Sequence, residues 1–168
     1  MQFFDLVNFH EVPESLAARL GYKKIFQTGK DAEVFEKTVV SGGKGVVRSD
    51  SQEAITKGLR QSNVIGVIPK GISAGREVLD EVKENEKMLI IPLSEVTCSD
   101  GTSRVQSMAK MRRLVKSVLM AKVPFALVSF ASSSECLMAG LQMIEVAGFL
   151  GIEPPRAKEA LGRLGELL

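Results

Sequence analysis

Short runs of Val, Ile and Leu, each followed by a helical stretch, recur along this chain and leave few folds open. "NVIGVIPK" leads into "SAGREVLDEVKENE", "KMLIIPLSEV" into a long helical pattern, and "VPFALVSFA" into another. Runs that are apolar at nearly every position are buried on both faces, which marks strands of a parallel sheet with crossover helices packed on it. The first part of the chain fits the same order. "MQFFDLVNF" reads as a strand, and "VPESLAARLG" as a short helix started by Pro13 and stopped by Gly21. "KKIFQT" and "KGVVRSD" read as strands, and Ser49 to Ser51 supply caps for the helix "QEAITKGLRQ". Further helices are expected from about Ser103 to Ala121, from about Ser134 to Phe149, and after Pro155.

Repeated βα units suggest a barrel or an open wound sheet. A full eight-unit barrel takes about 250 residues, and this chain has 168. The expected fold is therefore α/β, a compact TIM-like (β/α) barrel in one domain over 1–168, with weak strands such as "EVFEKTVV" filling gaps. No internal repeat, low-complexity segment or linker interrupts it.

Charge is distributed unevenly. The net charge is only +2, yet the segment from Gly101 to Ser134 holds no Asp or Glu and six bases. At 100° per residue, Met108, Met111, Leu114, Val115, Val118 and Leu119 share one arc of the helix, with Lys110, Arg112, Arg113 and Lys116 opposite. A solvated face usually mixes signs, so an all-basic one raises the prospect of a polyanion partner. The helix "SAGREVLDEVKENE" is acidic instead, through Glu77, Asp80, Glu81, Glu84 and Glu86. With eight Phe, one Tyr and no Trp, there is no stacking platform for bases, and any RNA contact is expected to run through phosphates and shape.

The last helix poses a puzzle. In "GIEPPRAKEAL" two bases, Arg156 and Lys158, occupy the first turn, where the helix dipole already places positive charge. Either both side chains bend away into solvent, or a phosphate neutralises them, held by both and by free backbone N–H groups.

Catalytic patterns are thin. The single histidine, His10, cannot build a metal cluster and is expected to be structural or solvent-facing. "SGGKG" precedes a strand and is not a dinucleotide fingerprint, and "TGKD" has Ile25 and Asp31 where a P-loop needs Gly and Ser or Thr. Both are expected to be turns. "SFASSSEC" lacks the frame of a nucleophile elbow. Ser132 to Ser134 are read as helix caps, with a phosphate on that helix start as the alternative. Asp5, Asp50 and Glu95 are the carboxylates that a stand-alone metal-dependent phosphoesterase on a small barrel would need. A pure protein scaffold is a further rival.

Cys98 and Cys136 are too sparse for a disulfide framework and are read as reduced thiols. The opening "MQFFDLVNFHEV" has neither a basic n-region nor a long apolar run, so neither signal peptide nor membrane attachment is expected, and the cytoplasm is the expected compartment.

"RRLVKSVLMAKVPFALVSFASSSECL" followed by "EVAGFLGIEPPRAKEAL", with "FFDLVNF" at the start, resembles archaeal ribonuclease P protein component 3, the thirty-kilodalton-subunit family. The resemblance covers most of the chain and is most specific in its C-terminal third. It implies a TIM-like barrel related to phosphoesterases of the polymerase-and-histidinol-phosphatase type, whose first strand carries an HxH. Val7 and Phe9 stand at those positions here, so no metal site is implied. The implied role is a non-catalytic subunit of an endoribonuclease that removes the 5′ leader from precursor tRNA. The RNA does the chemistry with Mg2+, and the protein needs no cofactor of its own. Implied partners are the ribonuclease P RNA, protein component 2 in a two-plus-two assembly, other ribonuclease P proteins and, indirectly, precursor tRNA. The RNA-binding residues expected on this basis are Arg48, Lys70, Lys110, Arg112, Arg113, Lys116, Ser132, Ser133, Arg156 and Lys158. Arg48 and Lys70 end strands, at the rim where barrels place ligand groups.

Overall fold

The computed structural model describes residues 2–9, 12–36 and 42–167. Among them seven strands form two parallel sheets. β1 (Phe3–Val7) pairs with β2 (Tyr22–Gln27). β3 (Glu33–Phe35), β4 (Gly45–Ser49), β5 (Val64–Pro69), β6 (Met88–Pro92) and β7 (Phe125–Val128) form the second sheet in chain order. The apolar runs with flanking helical patterns and the weaker "EVF" are strands, as expected. His10 and the stretch 37–41, which includes the end of "EVFEKTVV" and the first residue of "SGGKG", lie outside the described residues.

Backbone hydrogen bonds link the two sheets at both edges. Asn8 N donates to Ala131 O at 2.8 Å, and Phe130 N to Leu6 O at 2.9 Å, joining β1 to the end of β7. On the other side a single parallel bridge joins Thr28 to Ala32. Side chains alternate accordingly. Leu6, Phe26, Val46, Ile68, Ile90 and Val128 make one apolar cluster. Val7, Ile25, Val47, Val67, Leu89 and Leu127 join the helices in the other.

The helices are α1 (Glu14–Arg19), α2 (Gln52–Leu59), α3 (Arg76–Glu84), α4 (Ser94–Thr97), α5 (Gly101–Ala121), α6 (Gly140–Phe149) and α7 (Pro154–Leu167). Ser51 caps α2, its hydroxyl accepting from Ala54 N at 3.4 Å. α7 packs on β1 and β7 and sends Leu164 into the cluster of Leu6 and Val128.

Two expectations need correction here. The helix expected from Ser134 begins only at Gly140, after a 3-10 turn at Ser134–Cys136 and an extended stretch through Leu137 and Ala139. Tertiary contacts override the local pattern. The Tyr22 hydroxyl donates to Met138 O at 2.8 Å, and Gly140 N donates to Leu20 O at 3.0 Å. A Cβ on Gly140 would sit 2.7 Å from the Phe3 ring, so glycine is what lets α6 start there. The expected reduced thiols are also overturned: Cys98 and Cys136 are joined, with Cα atoms 5.9 Å apart, inside the range that a disulfide spans. Spacing of 38 residues gave no sign of it, because α4 and the 3-10 turn meet only through the fold.

Candidate nucleic-acid interface

α5 carries the largest charge feature, and its helical arcs fall where the sequence puts them. Met111, Leu114, Val115 and Val118 are buried, while Lys110, Arg112, Arg113 and Lys116 are exposed. The structure then divides that basic face. Arg112 Nε donates to the Phe149 carbonyl at 2.8 Å, closing the end of α6. Lys110 and Arg113 instead line a cavity of about 410 Å³ against the turn that follows β5. Neither has an ion-pair partner among the described residues.

The strand-end bases are less free. Arg48 pairs with Glu95 at 3.5 Å and lies 5.3 Å from the centre of the Phe130 ring, with its Nε buried and without a hydrogen-bond partner. Lys70 reaches Glu36 at 3.6 Å and is more exposed. Exposed pairs of this kind contribute about 0–1 kcal/mol, so a phosphate can compete for Lys70 more readily than for Arg48.

Ser132 and Ser133 follow β7 but do not cap a helix, since α6 starts further on and Ser133 makes no side-chain cap bond. The phosphate site imagined on that helix start has no helix behind it. Arg156 stacks 5.9 Å from the ring of Phe125, the first residue of β7. It therefore stands at the opposite end of the parallel strands from Arg48 and Lys70, so the ten expected residues do not share one end of the sheet. Lys158 is exposed. Pro154 and Pro155 carry no N–H, and Ala157 N already donates to Glu153 O. The first turn of α7 is thus short of donors, which softens the conflict between its dipole and its two cations.

The carboxylates of the phosphoesterase reading are engaged separately. Asp5 is fully buried; Oδ1 accepts from Leu6 N at 2.8 Å and Ser129 N at 2.6 Å, while Oδ2 accepts from the Ser129 hydroxyl at 2.5 Å. Burial pushes its carboxyl up to about 7, against the lowering effect of those bonds. Glu95 is held by Arg48, and Asp50 is exposed beside Ser49 and Ser51. No group of three His, Cys, Asp or Glu that could hold a metal ion occurs among the described residues. No helix among them is long and apolar enough to cross a membrane. The Asp5–Ser129 pair was missed as a unit; its one sequence signal is an acid inside the apolar run "FFDLV".

Strand order, seams and the basic helix can be set against known proteins. The same fold occurs in archaeal ribonuclease P. A chain of the cryo-EM structure of archaeal ribonuclease P with mature tRNA matches 99% of this chain and 80% of its own length, with a TM-score of 0.70 and 13% sequence identity. No family model matches the sequence, and no curated protein does.

Proposed function

We propose that this chain is a protein subunit of ribonuclease P, protein component 3 of an archaeal-type enzyme. In this reading it supports the catalytic RNA together with protein component 2 and takes no part in bond cleavage itself. The observation that carries the proposal is the fold shared over 99% of the chain with a chain of an archaeal ribonuclease P structure. The proposal also takes the two sheets as one seven-stranded barrel, closed through the Asn8–Ala131 and Phe130–Leu6 bonds and the Thr28–Ala32 bridge. The enzyme it joins removes the 5′ leader from precursor tRNA, in the cytoplasm, with Mg2+ supplied to the RNA.

The RNA contacts assigned are the exposed bases of α5, Lys70 and the start of α7, acting as side chains on phosphates. Counterion release sets their signature. Arg113→Ala and Lys158→Ala are each expected to lower the salt slope of RNA affinity by about one, without changing sequence preference. Filter binding of the ribonuclease P RNA across a salt series checks this. An unchanged slope in both variants removes them from the interface.

A further inference from the structure

The cavity beside Lys110 and Arg113 does not stop there. It shares Ala74 and Ser117 with a second cavity of about 480 Å³, which continues along α5 to Met120 against Leu79 of α3. At 1.5 Å per residue the groove follows α5 for about 15 Å between positions 110 and 120. We infer that this groove holds single-stranded RNA, with a backbone phosphate between Lys110 and Arg113 and a sugar or base face against Met120. The inference rests on the reading that the chain binds RNA, and it adds which form of RNA this site takes.

Charge argues for a polyanion. No acid lines the first cavity. In the second, Arg76 pairs with Asp80 at 3.7 Å, while Lys83 Nζ donates to the neutral Ala121 O at 3.1 Å and keeps its charge. Unneutralised positive charge therefore lines both parts of the groove, with Lys110 and Arg113 in the first cavity and Lys83 in the second. Arg113, which lines the cavity, uses only its Nε, on the Ala109 carbonyl of its own helix, and makes no ion pair among the described residues. On the helix, Lys110, Arg113 and Ser117 share one flank, and Arg112 lies across from them. Its contact with α6 leaves the groove clear.

Shape argues for a single strand. A duplex stacks its bases inward and can present only its backbone to such a mouth, whereas an unpaired strand can splay its nucleotides. The far end offers an exposed apolar side chain for one, beside Arg76, Asp80 and Lys83. Met120 is 68% exposed, an unusual position for a large apolar side chain, and Ala121 lines the same cavity. A phosphate at Lys110 and Arg113 and an apolar contact at Met120 match the two parts of a nucleotide.

Fluorescence anisotropy of the full chain with a short labelled oligouridylate, and with an RNA duplex of equal length, tests the inference. The oligouridylate is expected to bind more tightly than the duplex. Lys110→Ala with Arg113→Ala should lower its salt slope by about 1.4, because each phosphate neutralised on a single strand adds about 0.7 to the slope. Met120→Glu should weaken the oligouridylate about tenfold or more by setting a like charge against it, and leave the duplex unchanged. Unaltered melting temperatures establish that both variants fold. Wild-type oligouridylate binding by either folded variant overturns the inference. So does a Met120→Glu chain that keeps the oligouridylate but no longer binds protein component 2, which would make the groove a protein dock. If leader release still requires the chain while the groove variants bind as wild type, the groove assignment falls and the subunit reading stands. If leader release is indifferent to the chain but the groove variants lose oligouridylate, the reverse holds.

Discussion

Asp5→Asn is expected to stabilise the folded chain above pH 7 by up to about 4 kcal/mol, and to change little near pH 4. Burial raises the Asp5 carboxyl from 3.8 to about 7. Between those values the folded chain keeps a proton that the unfolded chain has released. Stability is therefore full below pH 4, falls as pH rises, and levels off above pH 7. Asparagine removes the ionisation but fits the hydrogen bonds. Its carbonyl accepts from Leu6 N and Ser129 N, and its amide turns toward the Ser129 hydroxyl, where the Asp5 contacts now lie. Asp5→Ala costs about 3 kcal/mol near pH 4, because buried donors of Leu6 and Ser129 are left without an acceptor, and that loss shrinks as pH rises, since alanine also removes the ionisation. Urea denaturation of the three proteins from pH 4 to pH 8 separates them. Parallel pH profiles for wild type and Asp5→Asn would show that Asp5 does not titrate in this window.

Gly66→Ala is expected to cost about 3 kcal/mol or more, the upper end of what overpacking does in a core. A Cβ at Gly66 would lie 2.4 Å from the Met88 carbonyl oxygen on the neighbouring strand. That atom is backbone in the middle of the sheet, and moving it breaks the β5–β6 ladder that pairs Gly66 with Met88. Gly43→Ala is the control, since a Cβ there meets nothing within 4 Å. Thermal melts compare the two. Equal melting temperatures would mean that β5 and β6 stand further apart than this pairing places them.

Much of the fold was legible because its signals are local. Val64–Pro69 and Met88–Pro92 are apolar throughout, and every residue of both is buried, so their place in a parallel sheet follows from composition over a few positions. The arcs of α5 were legible for the same reason, since helical period alone decides which residues face out. Contacts distant in sequence were not. The start of α6 depends on Tyr22 and Phe3, more than a hundred residues earlier, and the joining of Cys98 to Cys136 depends on where two loops meet. Within the candidate site, the sequence could name Lys110, Arg112 and Arg113 as one basic face. It could not tell that Arg112 turns to the Phe149 carbonyl while its neighbours face a groove. Nor could it tell that Arg156, at the start of the last helix, lies beside Phe125 at the other end of the strands from Arg48 and Lys70.

Leader release from labelled precursor tRNA tests the central proposal most directly. The reaction combines the ribonuclease P RNA, protein component 2 and this chain, at a Mg2+ level too low for the RNA alone. Cleavage that appears only when this chain is present is the result the account predicts. Cleavage at the same rate without it would contradict the account.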